Sequence, residues 1–162
     1  MNILYLHGLK SRLSSEKRKI LKRYGKVYSP DINYKLKHIQ PIEVLKQFPN
    51  TEFNVVIGSS MGALNAYIIS ENICRPALMF NPPLSKYKPH NFKRKFPKII
   101  VYQHFRLGGE DDIVNPSATL KFLSDRIADY EFQVFTDPQL GHRIPLEIFN
   151  KDVKNFFSNL CY

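Results

Sequence analysis

Short apolar runs alternate along the chain with longer segments in which apolar residues recur at helical spacing. The predicted strands include NILYLHG, FNVVIG and EFQVFTD, and the predicted helices include SSEKRKILKRYG and PLEIFNKDVKNFFSNL. Strands that are apolar on both faces are typical of a parallel sheet covered by helices on both sides. The pattern therefore predicts an α/β fold, a three-layer α/β/α sandwich with a mostly parallel sheet of about six strands.

One domain spanning residues 1–162 is the simplest organisation for a chain of 162 residues. No internal repeat, low-complexity tract or Ser/Gly-rich linker divides it. Because 43% of the residues are hydrophobic and 13% are aromatic, the composition excludes a mostly disordered protein. The first apolar run, residues 3–6, is too short for a signal-peptide core or a membrane span, so we expect a cytoplasmic protein.

Charge is unevenly distributed along the chain, whose net charge is +10. Residues 10–46 contain eleven basic residues against three acidic ones, an excess that can attract nucleic acid, phospholipid or an anionic small molecule. The sequence contains no RNP, KH or zinc-binding pattern that would support a nucleic-acid-binding protein. Cys74 and Cys161 form no CxxC pair, and we expect neither a metal nor a cofactor.

The junction between one strand and the next helix carries the first candidate for chemistry. Residues 58–62, GSSMG, fit the G-x-S-x-G motif with Ser60 at its centre. In that motif the serine sits on a tight strand-to-helix turn that projects its hydroxyl out of the sheet. The motif alone also occurs by chance, but its position after an apolar strand and before a helix favours Ser60 as a nucleophile.

A serine nucleophile needs a general base, and the chain has five histidines. His142 follows the last predicted strand, at the carboxyl edge of the sheet, and is the predicted base. Gly141 is expected to give that loop the freedom to turn the imidazole toward Ser60. For the other four we expect His7 to shape its loop, His104 to be buried and hydrogen-bonded, and His38 and His90 to be solvated.

The base in turn needs an acid that orients it. The segment LGGEDDIVNP, after a long predicted strand, supplies Glu110, Asp111 and Asp112 together. The order serine, acid, histidine is typical of nucleophile-elbow hydrolases. We favour Asp111 as the acid, keep Asp112 as the alternative and expect Glu110 to be solvated.

A negatively charged tetrahedral intermediate needs backbone donors beside the nucleophile. The first predicted strand ends in YLHGL, where Gly8 would allow the chain to approach the serine closely. The amides of Leu9 and Met61 are the predicted oxyanion hole.

Five segments follow one another in order over nearly the whole chain: LYLHGLKSRLSSEK, VIGSSMGALNAY, FNPP, GGEDDIVNP and LGH. Together they resemble the α/β-hydrolase superfamily and, within it, most of all the small bacterial YqiA-like esterases. The resemblance implies a minimal α/β-hydrolase fold and hydrolysis of short-chain carboxylic esters. It also implies Ser60 as nucleophile, Asp111 as acid, His142 as base, and Leu9 and Met61 as the oxyanion amides.

Two features depart from that family or are not explained by it. Ala63 stands where the family has a second glycine, and the connection after FNPP is short where larger hydrolases insert a lid. The missing lid predicts an open site for small acyl groups or extended substrates. The basic and aromatic segment 86–97, KYKPHNFKRKFP, is either a solvated connector or a rim that attracts anionic substrates such as a coenzyme A thioester.

The leading hypothesis is therefore a serine hydrolase that acts on a small ester or thioester through an acyl-enzyme. The alternatives are a non-catalytic binding protein with an inactive triad and a nucleic-acid-associated α/β protein. A dinucleotide-binding protein is excluded because no G-x-G-x-x-G follows the first strand. The sequence leaves open the physiological substrate, the choice between ester, thioester and carbon–carbon cleavage, and the oligomeric state.

Overall fold

The computed structural model describes residues 1–88, 101–127 and 131–160. Within these ranges the strands are β1 (Asn2–Leu6), β2 (Lys26–Tyr28), β3 (Val55–Ser59), β4 (Ala77–Phe80), β5 (Gln103–Gly108) and β6 (Phe132–Asp137). The helices are α1 (Ser15–Lys22), α2 (Pro41–Lys46), α3 (Met61–Ile73), α4 (Pro116–Ser124) and α5 (Leu146–Ser158), with a 3₁₀ turn at Leu84–Lys86. The predicted alternation of strands and helices is confirmed.

The six strands form a single sheet in the order β2-β1-β3-β4-β5-β6, and every neighbouring pair in it is parallel. The carboxyl ends of all the strands consequently point to the same edge of the sheet. Loops that leave this edge are where parallel α/β folds bind ligands. The candidate residues for chemistry are on loops that follow β1, β3, β5 and β6.

Two hydrophobic clusters, one on each face of the sheet, hold the helices in place. Residues of α2, α3 and α4 pack with alternate strand residues such as Leu4 and Val56 on one face. Residues of α1 and α5 pack with the intervening strand residues such as Ile3 and Ile57 on the other. Because successive strand side chains point to opposite faces, strands that are apolar throughout contribute residues to both clusters. This arrangement confirms the predicted three-layer sandwich.

Some predicted boundaries differ from the structure. The strand predicted over KIIVYQHF begins only at Gln103 and continues to Gly108, and the first residues of that prediction lie outside the described ranges. Of the basic segment 86–97, the structure describes only residues 86–88. No helix in the described parts of the chain is long and apolar enough to cross a membrane.

Candidate active site

Ser60 occupies a strained turn between β3 and α3. Its backbone angles are φ 55° and ψ −125°, a combination that a residue with a side chain rarely adopts. The flanking glycines make this turn possible by close backbone packing. A Cβ on Gly62 would lie 2.1 Å from the carbonyl oxygen of Leu6, and one on Gly58 would lie 2.4 Å from that of Gly62. Backbone atoms thus leave no room for a side chain at either glycine of the G-x-S-x-G motif.

Three predicted residues come together in one hydrogen-bonded series. Ser60 Oγ lies 3.0 Å from Nε2 of His142. His142 Nδ1 lies 2.8 Å and 3.0 Å from the two carboxylate oxygens of Asp111. Because a carboxylate can only accept, Nδ1 carries the ring proton and Nε2 is left to accept from the serine hydroxyl. This is the protonation pattern that a general base for Ser60 requires.

The Asp111 carboxylate is fixed from more than one side. Its side chain is only 1% exposed, and its Oδ1 accepts hydrogen bonds from the backbone amides of Ile113 (2.9 Å) and Val114 (2.8 Å). Asp112 and Glu110 are both exposed. Among the described residues, the carboxylate that contacts the His142 imidazole is therefore that of Asp111 and not that of Asp112; its role as the catalytic acid stays a prediction.

The loops before α3 lie against the nucleophile as the oxyanion prediction requires. A Cβ on Gly8 would lie 3.0 Å from Cβ of Ser60 and 3.1 Å from the carbonyl oxygen of Ser59, so a side chain at this position would crowd the nucleophile. Met61 is the first residue of α3, and Leu9 directly follows Gly8. Their role as oxyanion donors stays a prediction.

Buried His7 forms hydrogen bonds that stabilise the same loop, in agreement with the prediction that it shapes this loop. Its ring is 5% exposed, its Nε2 accepts from the backbone amide of Ile32 (3.0 Å), and its Nδ1 donates to the carbonyl of Gly8 (2.7 Å). The hydroxyl of Tyr34 donates to the backbone carbonyl of His7. The loop after β1 is thereby linked to the loop after β2.

The sequence analysis missed one buried polar residue, Asn81, which directly follows β4. Its side-chain oxygen accepts from the amide of Gly108 (2.8 Å), and its side-chain nitrogen donates to the carbonyls of Gly141 (3.2 Å) and His142 (3.0 Å). Its φ of 47° lies in the left-handed region, which asparagine tolerates better than most residues. The sequence feature that could have indicated this role is an asparagine that directly follows a buried strand and precedes two prolines.

The remaining histidines have other environments. His104 is fully buried in β5, with its Nδ1 3.3 Å from the hydroxyl of Tyr102, as predicted. Burial lowers the pKa of His104 to about 4; the negative charge of Asp152 opposes this shift, and the positive charge of Arg106 adds to it. His38 is exposed, and His90 lies outside the described ranges.

The expectation for Gly141 was wrong. Its φ is not positive, and a Cβ there would meet nothing closer than the carbonyl oxygen of Glu110 at 3.8 Å. The loop therefore does not need glycine at this position to direct His142 toward Ser60; hydrogen bonds from Asn81 hold its backbone instead. The described residues also include no group of three or more His, Cys, Asp or Glu side chains that could hold a metal ion.

Several solved structures with a similar fold are of hydrolases or esterases. A protein of the alpha/beta hydrolase superfamily from Xanthomonas campestris is 16% identical, with a TM-score of 0.67, and 98% of each chain is covered. A carboxylesterase from Bacillus cereus is 16% identical with a TM-score of 0.67, over 96% of this chain and 87% of that one. An esterase from Pyrococcus furiosus is 17% identical with a TM-score of 0.69, over 97% of this chain and 82% of that one. These likenesses establish the α/β-hydrolase fold.

No curated protein matches the chain in sequence. A family model does match it, over residues 2–103, which include β1 to β4, the elbow with Ser60 and the loop with Gly8. This match confirms the YqiA-like resemblance seen in the sequence. The chain belongs to the uncharacterised protein family UPF0227.

Proposed function

We propose that the protein is a serine hydrolase of the carboxylesterase type, which cleaves small or short-chain esters or thioesters through an acyl-enzyme on Ser60. The observation that carries this proposal is the continuous hydrogen bonding from Ser60 through His142 to Asp111, with distances of 3.0 Å and 2.8 Å. The strained backbone of Ser60 adds support, because strain at a single residue is common at catalytic sites. The esterases and hydrolases among the structural neighbours support the same class of reaction.

In the first half-reaction Nε2 of His142 accepts the proton of the Ser60 hydroxyl while Ser60 Oγ attacks the carbonyl carbon of the ester. The imidazolium that forms is stabilised by the buried carboxylate of Asp111, 2.8 Å away. The carbonyl oxygen gains the negative charge and is held by the amides of Leu9 and Met61. When the intermediate collapses, the carbon–oxygen bond to the alcohol breaks, and the alcohol leaves with the proton from His142.

The second half-reaction repeats these steps with water. His142 takes a proton from the water, and the resulting hydroxide attacks the acyl carbon on Ser60. The acid is then released, and the proton returns to Ser60 Oγ. The net reaction consumes one ester and one water and produces one acid and one alcohol, or one thiol from a thioester.

The deciding experiment is intact-mass analysis after treatment with a fluorophosphonate, which bonds to activated serines. We expect one adduct on the wild type and on Ser59→Ala, and none on Ser60→Ala. Ser59 is the matched control because it lies on the same turn, one residue earlier. Hydrolysis of 4-nitrophenyl acetate, butyrate and octanoate then measures the preference for acyl length. An unlabelled wild type, or labelling that persists in Ser60→Ala, would refute the proposal.

A further inference from the structure

A cavity of about 630 Å³ lies between the loop after β1 and the loop after β2. Its lining includes His7, Lys10, Arg12, Asp31 and Ile32. The volume is typical of sites for small molecules. Since β1 and β2 are adjacent parallel strands, the cavity opens at the carboxyl edge of the sheet, the edge at which β3 leads into Ser60.

The walls of this cavity are held in place by hydrogen bonds. Nε2 of His7 accepts from the amide of Ile32 on one wall, and its Nδ1 donates to the carbonyl of Gly8 at the base of the other. Arg12 and Asp31 join the walls again, with Nη2 of the arginine 2.9 Å from a carboxylate oxygen. The buried contacts of His7 fix the base of the cavity, whereas Arg12 and Asp31 are largely exposed and their ion pair adds little rigidity.

The charges in the lining do not balance. Asp31 is neutralised by Arg12 at 2.9 Å. His7 is neutral, because its Nε2 accepts a hydrogen bond from a backbone amide. The ammonium group of Lys10 has no carboxylate within ion-pair distance among the described residues. The lining therefore carries two cations, Lys10 and Arg12, against one carboxylate, Asp31, which leaves one positive charge uncompensated.

The loop that carries Lys10 also touches the candidate nucleophile. A Cβ on Gly8 would lie 3.0 Å from Cβ of Ser60 and 3.6 Å from Oγ of Ser11, another residue of the cavity lining. Ser60 and Ser11 are thus both neighbours of the same point beside Gly8. The lining of the cavity therefore comes close to the candidate nucleophile at Gly8 and Ser11.

We propose that the cavity binds an anionic group, a carboxylate or a phosphate, on the substrate of the hydrolase, with Lys10 and Arg12 as its cationic partners. The inference rests on the proposed function and narrows its substrates to esters or thioesters that carry a negative charge beside the reacting carbonyl. It depends on described residues alone and is independent of the basic segment 86–97.

The kinetic test compares 4-nitrophenyl hydrogen adipate with its methyl ester, which differ in one negative charge. A third ester, 4-nitrophenyl 4-(phosphonooxy)butanoate, distinguishes a phosphate site from a carboxylate site. In Lys10→Asn/Arg12→Gln we expect the ratio of kcat/KM for the preferred anionic ester to that for the neutral ester to fall about tenfold, as for loss of hydrogen bonds to a charged group. Asparagine suits position 10, whose φ is 50°.

The matched control is Lys19→Gln/Arg23→Gln, which removes the same two charges from exposed positions at α1. Its ratio should stay within about twofold of the wild-type value, because neither residue lines the cavity and salt weakens the effect of exposed charges. An equal fall in both double variants would indicate only the overall positive field, and an unchanged ratio in Lys10→Asn/Arg12→Gln would exclude the site. Either result overturns the inference.

Calorimetric titration with glutarate and with inorganic phosphate separates this inference from the proposed function. Binding of either anion to Ser60→Ala protein, lost when Lys10→Asn/Arg12→Gln is added, would support the cavity site even if no ester were hydrolysed. If the anion binds but no ester is hydrolysed, only the proposed function fails. Binding that is absent from Ser60→Ala, or that persists equally in the variant lacking both cations, would contradict the anion site.

Discussion

The side-chain nitrogen of Asn81 donates a hydrogen bond to the backbone carbonyl of His142 over 3.0 Å. Its side-chain oxygen accepts from the amide of Gly108, the last residue of β5. The loop that begins at Gly108 carries Asp111. One buried asparagine therefore connects the loop of the candidate base with the loop of the candidate acid, and the distance between imidazole and carboxylate depends on both.

Asn81→Asp tests this connection. Aspartate keeps an acceptor for Gly108 but replaces the donor by a second acceptor that faces the carbonyls of Gly141 and His142. The resulting repulsion should displace His142, and because small misplacements of catalytic groups are costly, we expect kcat for ester hydrolysis to fall about 100-fold. KM should change little, since Asn81 is buried and only 2% exposed.

Asn81→Gly is the companion variant, because glycine accepts the φ of 47° while losing all three hydrogen bonds. It should also lower kcat more than it raises KM. Thermal unfolding of both variants controls for loss of the fold. Wild-type kcat in folded Asn81→Asp would indicate that other contacts hold the His142 loop.

Adjacent carboxylates allow a matched test of the acid. In Asp111→Asn the side chain can still accept from the amides of Ile113 and Val114, so the loop should keep its form. The amide no longer fixes the imidazole tautomer or stabilises its charge, and kcat should fall about 10⁴-fold, as in other serine hydrolase triads. Asp112→Asn, at an exposed position, should keep kcat within about twofold of the wild type. Comparable losses in the two variants would contradict the assignment.

The fold could be predicted from the sequence because its signals are local. Apolar runs, helical spacing and the glycines around Ser60 each lie within a few residues of the structure that they indicate. The choice between Asp111 and Asp112 stayed open because neighbouring residues in a loop share every pattern that the sequence offers. Only the backbone path makes one carboxylate buried and the other exposed.

Asn81 could not be predicted for a different reason. Its partners Gly108 and Gly141 are 27 and 60 residues away in sequence. They come within reach because β4 pairs with β5, with Phe80 beside Arg106, and because β5 pairs with β6, with Gly108 beside Asp137. The expectation for Gly141 failed for the same reason. The hydrogen bonds from Asn81 that hold its loop could not be foreseen from the local sequence.

The two glycines Gly62 and Gly141 should respond very differently to alanine. A Cβ on Gly62 would lie 2.1 Å from the carbonyl oxygen of Leu6, which belongs to β1 and cannot move without disturbing the sheet. We expect Gly62→Ala to lower the free energy of unfolding by about 3 kcal/mol, as overpacking does, and to lower kcat at least tenfold by displacing Ser60. In Gly141→Ala the new Cβ would make only an ordinary contact with the carbonyl oxygen of Glu110 at 3.8 Å, so the free energy of unfolding and kcat should both stay close to the wild-type values. Urea unfolding with parallel ester kinetics tests both, and near-wild-type behaviour of Gly62→Ala would show that the elbow can relax.

His104 should make the stability of the protein depend on pH between about 4 and 6.5. Burial lowers the pKa of His104 from 6.5 to about 4 in the folded protein. Below pH 6.5 the unfolded chain therefore binds a proton at this site that the folded chain does not bind. The free energy of unfolding consequently falls as the pH falls, and this contribution is complete only above the unfolded pKa.

Replacing His104 by phenylalanine should remove that dependence. The aromatic ring can keep its stacking on Phe135, whose centroid lies 4.8 Å from that of His104, but it binds no proton in either state. From pH 6.5 to pH 4 the wild type should lose up to about 3 kcal/mol more of its free energy of unfolding than His104→Phe does. Urea unfolding at pH steps across this window measures the two slopes. Because the loss of the contact between His104 and Tyr102 is the same at every pH, it offsets the two curves but does not change their slopes. Parallel curves would mean that His104 gains its proton as readily in the folded protein as in the unfolded chain.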